Sequence, residues 1–195
     1  MGAITKPTIV LLVICIVISA SLAFTYALTK DRIAASETEV ANNARADVFP
    51  DVEFELVYKL GDADIAALQK FPAVTELYMA ISAEGAEKTA AGYVATVLTH
   101  GYGGEVEVIA GFRSDGCITG VRVSKHSETP GLGANAVNPE FYEQFAGKDS
   151  SKVLGVVKNI DSAAENDIVA ISGATVTSGA VAGAVNAAAH AMDDK

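Results

Sequence analysis

Two cysteines and three histidines are all the soft metal ligands this 195-residue chain offers, and they are scattered. Cys15 lies in an apolar run and Cys117 in the polar stretch SDGCITG, while His100, His126 and His190 stand far apart. No CxxC pair occurs, which argues against protein-bound zinc or iron–sulfur clusters. The two cysteines lie in segments too unlike to suggest a disulfide. Positive charge is also short: 14 Lys and Arg face 24 Asp and Glu, a net charge of −10. No acidic residue precedes Asp31, so from there on 12 Lys and Arg face the same 24 acids, a balance of −12. Such a surface repels phosphate backbones and anionic headgroups, which argues against nucleic acid and against non-specific lipid docking. Long-period repeats are missing as well, so a solenoid or propeller is not expected.

Between Lys6 and Lys30 charge is absent altogether. Thr8 to Leu28, TIVLLVICIVISASLAFTYAL, is apolar enough for a membrane and, at ~1.5 Å per residue, spans roughly 30 Å as a helix. Tyr26 and Lys30 suit the far interface. A cleaved signal peptide, with small residues from Ser19 to Ala23, is the competing explanation. The apolar run continues well past that cleavage region, so a retained anchor is expected. Ile14, in place of a small residue, stands before Cys15 and weakens a lipoprotein box. One Lys precedes the span, and Lys30, Arg32 and Arg45 follow it. By the positive-inside count, the C-terminal part leans toward the cytoplasm.

Beyond the span, Asp31 to Ala46 has the composition of a juxtamembrane helix, broken at Pro50. Glu53 to Lys59 suggests a strand, and DADIAALQKF, Asp62 to Phe71, a short helix. Strands are predicted over Glu76 to Ser82, Gly92 to His100, Glu105 to Phe112 and Ile118 to Lys125. GYGG, Gly101 to Gly104, is a turn, and RSDG separates the last two strands as in a hairpin. Asn138 to Ala146 reads as a helix, Val153 to Val157 and Ile168 to Ile171 as short strands, and Ser178 to Met192 as an Ala-rich helix. Strands first and helices toward the ends predict an α+β fold around a mostly antiparallel sheet. The implied organisation is an anchor over 1–30, a stalk over 31–50 and one domain over 51–195.

Two stretches offer chemistry. HSETPGLGA, His126 to Ala134, closes a strand; Gly131 and Gly133 let the backbone approach a flat ligand, and Pro130 stiffens the loop. A plain tight turn with a surface histidine explains the same residues. His126 and Glu128 form an acid–base pair only on paper, since no nucleophile or metal accompanies them. SGATVTSGAVAGAV begins at Ser172 and offers the hydroxyls of Ser172, Thr175, Thr177 and Ser178 at the start of a helix. The positive end of that helix suits a phosphate, at about 0.3–1 kcal/mol when exposed. Ordinary capping by Thr177 or Ser178 is the alternative. No lysine follows the glycines as in a Walker loop, and the G-x-G-x-x-G spacing is absent.

Taken together and in this order behind one span, HSETPGLG and SGATVTS resemble the FMN-binding domain of the G subunit of Rnf electron-transport complexes. VFPDVEFE and GYGGEVEVIAGF extend the resemblance to nearly the whole chain. The C subunit of the Na+-translocating NADH:quinone oxidoreductase, usually longer after its anchor, carries a similar domain. The resemblance implies FMN joined through its phosphate to Thr175 by a phosphoester, installed by a flavin transferase from FAD. Ser172, Gly173, Ala174 and Thr177 would shape the pocket. His126, Glu128, Thr129, Gly131, Leu132 and Gly133 would lie near the isoalloxazine ring. The family often has an acid three residues before the serine; that position is Val169 here, and the nearest acid is Asp167. No catalytic side chain and no metal are implied.

The role implied is single-electron relay among the flavin and iron–sulfur subunits of a membrane-bound ferredoxin:NAD+ oxidoreductase coupled to Na+ or H+ movement. The FMN domain would sit on the outer face of the bacterial cytoplasmic membrane, against the charge count. The alternatives are the quinone-reducing complex's C subunit, or an anchored module that grips a phosphorylated ligand without a covalent bond.

Overall fold

The computed structural model describes residues 2–60, 73–82 and 89–193. The helix expected over Asp62 to Phe71 lies outside the described residues. The chain divides into two compact units, Met1–Val40 and Ala41–Lys195.

The first unit is helical throughout its described residues, part of an α-helix, α1, that runs Gly2–Val48. Residues 2–30 and 31–48 are consecutive stretches of it. From Ile9 to Leu28 its large apolar side chains are exposed, which in a polar solvent would be costly and in hydrocarbon is not. Two hydroxyls in the apolar run turn back onto their own helix: Ser21 Oγ donates to Val17 O at 2.8 Å and Thr25 Oγ1 to Ser21 O at 2.9 Å. No water is needed to satisfy them. Among the described residues this is the single helix long and apolar enough to cross a membrane.

The second unit is built on an antiparallel sheet of five strands in sequence order: β1 (Val52–Lys59), β2 (Val74–Ser82), β3 (Thr89–His100), β4 (Glu105–Arg113) and β5 (Ile118–His126). β-branched and apolar residues alternate across the two faces. Leu77, Ala95, Val97, Val106, Val108, Ala110 and Phe112 line one face, and Ala80, Val94 and Ile109 line the other. After β5 come a 3-10 turn (Gly133–Val137), one α turn, α2 (Pro139–Tyr142), and a second 3-10 turn (Glu143–Phe145). The longer helix expected over Asn138 to Ala146 is thus broken, with Ala146 extended at ψ 134°. Two-residue strands β6 (Val156–Val157) and β7 (Ile168–Val169) pair in parallel. The chain closes with α3, Thr175–Asp193.

Each face of the sheet has its own cover. Val181, Ala182, Ala184, Val185 and Ala188 of α3 pack into the larger core with Phe141 and Phe145. Ala44 and Val48, at the end of α1, pack with Phe49 on the opposite face. Gly111 of β4 and Gly120 of β5 sit opposite each other in register. A Cβ on Gly111 would come within 3.1 Å of Val48 O, and one on Gly120 within 3.3 Å of Val48 Cγ1. This glycine pair lets the end of α1 lie against the backbone of the sheet.

Candidate functional site

The two stretches singled out above come together at the sheet end where β5 leaves off and α3 begins. β5 ends at His126, and the loop turns at Gly131 in the left-handed region, φ 78°. Thr129 O accepts from the N–H groups of Leu132 and Ala134, which curls the loop into the following 3-10 turn. On the other side, Ile171 O accepts the Ala174 N–H, and Gly173 takes φ 76° to bring the chain into α3. A Cβ on Gly173 would stand 3.0 Å from Leu132 Cδ2, so the two segments touch there. They touch again at Gly133, where a Cβ would run into Glu128 Oε2 and come within 2.7 Å of Thr177 Oγ1.

α3 begins at Thr175, three residues ahead of the expected Ser178, and that settles the capping question. Ser178 lies inside the helix: its Oγ accepts the Ile171 N–H at 3.0 Å and donates to Ala174 O at 2.9 Å. Thr177 is fully buried, and its Oγ1 has no hydrogen-bond partner. Neither hydroxyl caps the helix. The first helical bond joins Ser178 N–H to Ala174 O, so the N–H groups of Thr175, Val176 and Thr177 remain unpaired among the described residues. Thr175 itself is exposed, with Ser172 and Gly173 exposed beside it and Ala174 buried beneath. The arrangement is an uncapped first turn of a 19-residue helix with a free hydroxyl on its rim.

Glu128 organises the loop side. It is 93% shielded, with 7% exposure, and its Oε1 accepts two backbone N–H groups, from Tyr102 at 2.7 Å and Gly103 at 3.2 Å. A Cβ on Gly101 would collide with that same oxygen. GYGG is therefore more than a turn: its glycines make room for a carboxylate delivered from the neighbouring loop. Sequence inspection missed this partnership; the signal was the run of three glycines in four residues. The acid–base pairing of His126 with Glu128 does not form. The link between them is the Glu128 backbone N–H donating to His126 Nδ1 at 3.3 Å, while the carboxylate is committed elsewhere. Thr129 and Gly131 are exposed, and Leu132 is 44% exposed, on the outer side of the loop.

An open groove of about 310 Å³ adjoins this site, with Asn135 and Asn138 on one wall and Val169 to Ile171 on the other. Gln144 holds the second wall in place: its Oε1 accepts the Val169 N–H at 2.8 Å and its Nε2 donates to Val169 O at 3.3 Å. Asp167, the nearest acid to the serine, is used locally; its Oδ2 accepts the Ala164 N–H at 2.8 Å. Among the described residues no cluster of His, Cys, Asp and Glu could hold a metal ion.

These residues fit a ligand with a phosphoryl group at one end and a flat ring system at the other. The unpaired N–H groups at the start of α3 suit the anion. The side-chain-free surfaces at Gly131 and Gly173, with the groove beside them, suit the ring.

Comparison with known proteins gives the same picture. Residues 101–190 match the family model described as an FMN-binding domain, and residues 1–48 match the RnfG N-terminal region. The G subunit of the Na(+)-translocating ferredoxin:NAD(+) oxidoreductase complex of Acetobacterium woodii is 37% identical over 186 residues, 93% of this chain and 87% of that one. The G subunit of the ion-translocating oxidoreductase complex of Methanosarcina acetivorans is 34% identical over 187 residues, 95% and 92% of the two chains. In fold, the chain is similar to the C subunit of the Na(+)-translocating NADH-quinone reductase from Parabacteroides distasonis, as seen in its crystal structure. That match has a TM-score of 0.55 and 19% identity and covers 83% of this chain and 96% of that one.

Proposed function

The chain belongs to the family of Rnf complex G subunits, and from that premise we propose that it relays single electrons through an FMN carried covalently on Thr175. The observation that carries the proposal is the exposed Thr175 on the uncapped first turn of α3, two residues past Gly173, where the chain meets Leu132 of the glycine loop. Attachment by a flavin transferase would break the phosphoanhydride of FAD, join the FMN phosphorus to Thr175 Oγ1 and release AMP with the hydroxyl's proton. The N–H groups of Thr175, Val176 and Thr177 would hold the phosphoryl oxygens, and Ser172, Gly173 and Ala174 would shape the turn beneath. When bound, FMN supplies one-electron chemistry; the protein's part is position, exclusion of water and electrostatics. No side chain of the site is needed as a general acid or base.

The same reading places the chain in a membrane-bound ferredoxin:NAD+ oxidoreductase coupled to ion movement, with other flavin and iron–sulfur subunits as donor and acceptor. Residues 1–30 would anchor it, 31–50 connect, and 51–195 hold the FMN on the outer face of the cytoplasmic membrane. A tether makes physical sense there, because a dissociable cofactor would be lost by dilution. The match of residues 1–48 to the RnfG N-terminal region favours this complex over the quinone-reducing one. Intact mass of the chain made alongside the transferase tests it. The expected increment is one FMN less water, with in-gel fluorescence that survives denaturation. Thr175→Ala should abolish both without altering the melting temperature of the unloaded protein. A chain of bare sequence mass, or a fluorescent Thr175→Ala band, overturns the proposal.

A further inference from the structure

Glu128 is held by one of its carboxylate oxygens, and the other is left over. Oε1 takes the N–H groups of Tyr102 and Gly103. Oε2 has no hydrogen bond among the described residues; it borders Gly133 together with Thr177 Oγ1, two residues past the attachment position. The carboxylate is therefore fixed in a mostly buried place between the glycine loop and the first turn of α3. Residues 126–147 and 159–194, which supply the loop, the groove and α3, contain no Lys or Arg, and the nearest cation along the chain is the exposed Lys125 at the end of β5. The positive end of α3 also opposes it, and the phosphoryl group of the proposed attachment would consume that end.

We propose that Glu128 sets the reduction potential of the flavin as a fixed negative charge. Adding an electron to the flavin brings a second negative charge toward a carboxylate that cannot turn away, in surroundings of low effective dielectric. Glu128 thereby holds the potential low and favours onward transfer of the electron over its retention. The residue acts as a positioning and electrostatic group, not a catalytic one, and the inference rests on covalent FMN at Thr175.

The test uses the full chain, loaded by co-expressed transferase and purified in detergent, with the flavin potential read by spectroscopic redox titration. Glu128→Gln keeps a carbonyl oxygen for the Tyr102 and Gly103 N–H groups while removing the charge. Its one-electron reduction constant should rise about tenfold, equivalent to about 59 mV in the positive direction. Asp115→Asn is the control. It removes one charge from the hairpin at the opposite end of β4 and β5, some 25–30 Å along the strands, and its potential should not move. Equal potentials for Glu128→Gln and Asp115→Asn overturn the proposal. So does a Glu128→Gln chain that melts normally yet gains no flavin mass, since the carboxylate would then serve attachment. Should Glu128→Gln not fold, Glu128→Asp, which draws the charge back by one methylene, is expected to shift the potential positively by less; no shift overturns the proposal. Unaltered chain of bare mass would instead refute the flavin reading itself, and this inference with it.

Discussion

At the scale of single residues, the contacts most open to test lie at Gly133 and Glu76. Gly133 has no room for a side chain, since Glu128 Oε2 and Thr177 Oγ1 already occupy the space. Glu128 cannot simply swing aside while two backbone N–H groups hold it. Gly133→Ala is therefore expected to cost about 1–3 kcal/mol by overpacking, lowering the melting temperature by several degrees and slowing flavin loading. An unchanged melting curve would contradict that packing. Glu76 lies on the other face of the sheet, where Arg45 Nη2 reaches its Oε2 at 2.7 Å, Lys59 Nζ its Oε1 at 2.9 Å, and Tyr78 Oη donates to Oε2 at 3.1 Å. Burial alone would raise its pKa. Hydrogen bonds from Lys59 and Tyr78 and the charges of Lys59 and Arg45 outweigh burial and leave it below the ordinary 4.5. A depressed carboxylate stabilises the fold fully above that ordinary value and loses its contribution as pH falls below it. Urea unfolding of Glu76→Gln between about pH 6 and pH 3 should accordingly show a flatter acid limb than the unaltered protein.

At the scale of elements, two side-chain amides stand in for missing strands. Gln144, in the 3-10 turn after α2, pairs with both polar groups of Val169, as a neighbouring strand would. Asn186 of α3 does the same for Leu154, accepting its N–H at 2.9 Å and donating to its carbonyl at 3.1 Å. These pairings explain how β6 and β7, two residues each, persist, because isolated strands of that length are not stable. They also fix the approach of the chain to Thr175, since β7 leads into the turn at Gly173. Gln144→Leu leaves the N–H and C=O of Val169 unpaired, an expected loss of about 1–3 kcal/mol. Amide hydrogen exchange should quicken at Ile168 to Ala170 while the five-stranded sheet stays protected. Uniform acceleration across the sheet would instead mean that the whole unit had loosened.

At the scale of the whole molecule, α1 serves two environments along its length. Ile9 to Leu28 present apolar side chains outward, whereas Ala44, Arg45 and Val48 are buried against the sheet. Removal of residues 1–30 should therefore yield a domain that melts like the full chain. Removal through Val48 uncovers Ala80, Val94 and Ile109 and strips Glu76 of Arg45, with aggregation or a much lower melting temperature as the expected result. Thermal unfolding of the two truncated proteins separates these outcomes directly. Identical melting would mean that the end of α1 adds nothing to the fold.

Local sequence patterns were enough to determine the apolar span, the antiparallel sheet and the start of β5's loop. Charge exclusion, period-two alternation and turn chemistry all act over a few residues and need no partner. They also narrowed the candidate hydroxyls to Ser172, Thr175, Thr177 and Ser178 ahead of an Ala-rich helix, and the family resemblance chose Thr175 among them. Tertiary structure alone decided which hydroxyl was left outside and which was sealed under Gly133, and where α3 begins. It alone joined Glu128 to a turn 26 residues earlier and Gln144 to a strand 25 residues later. It also decided that the last turns of α1 belong to the folded core. Each of these depends on contacts between segments distant in the chain, and a hydrogen bond or a packed methyl leaves no mark on the residues between.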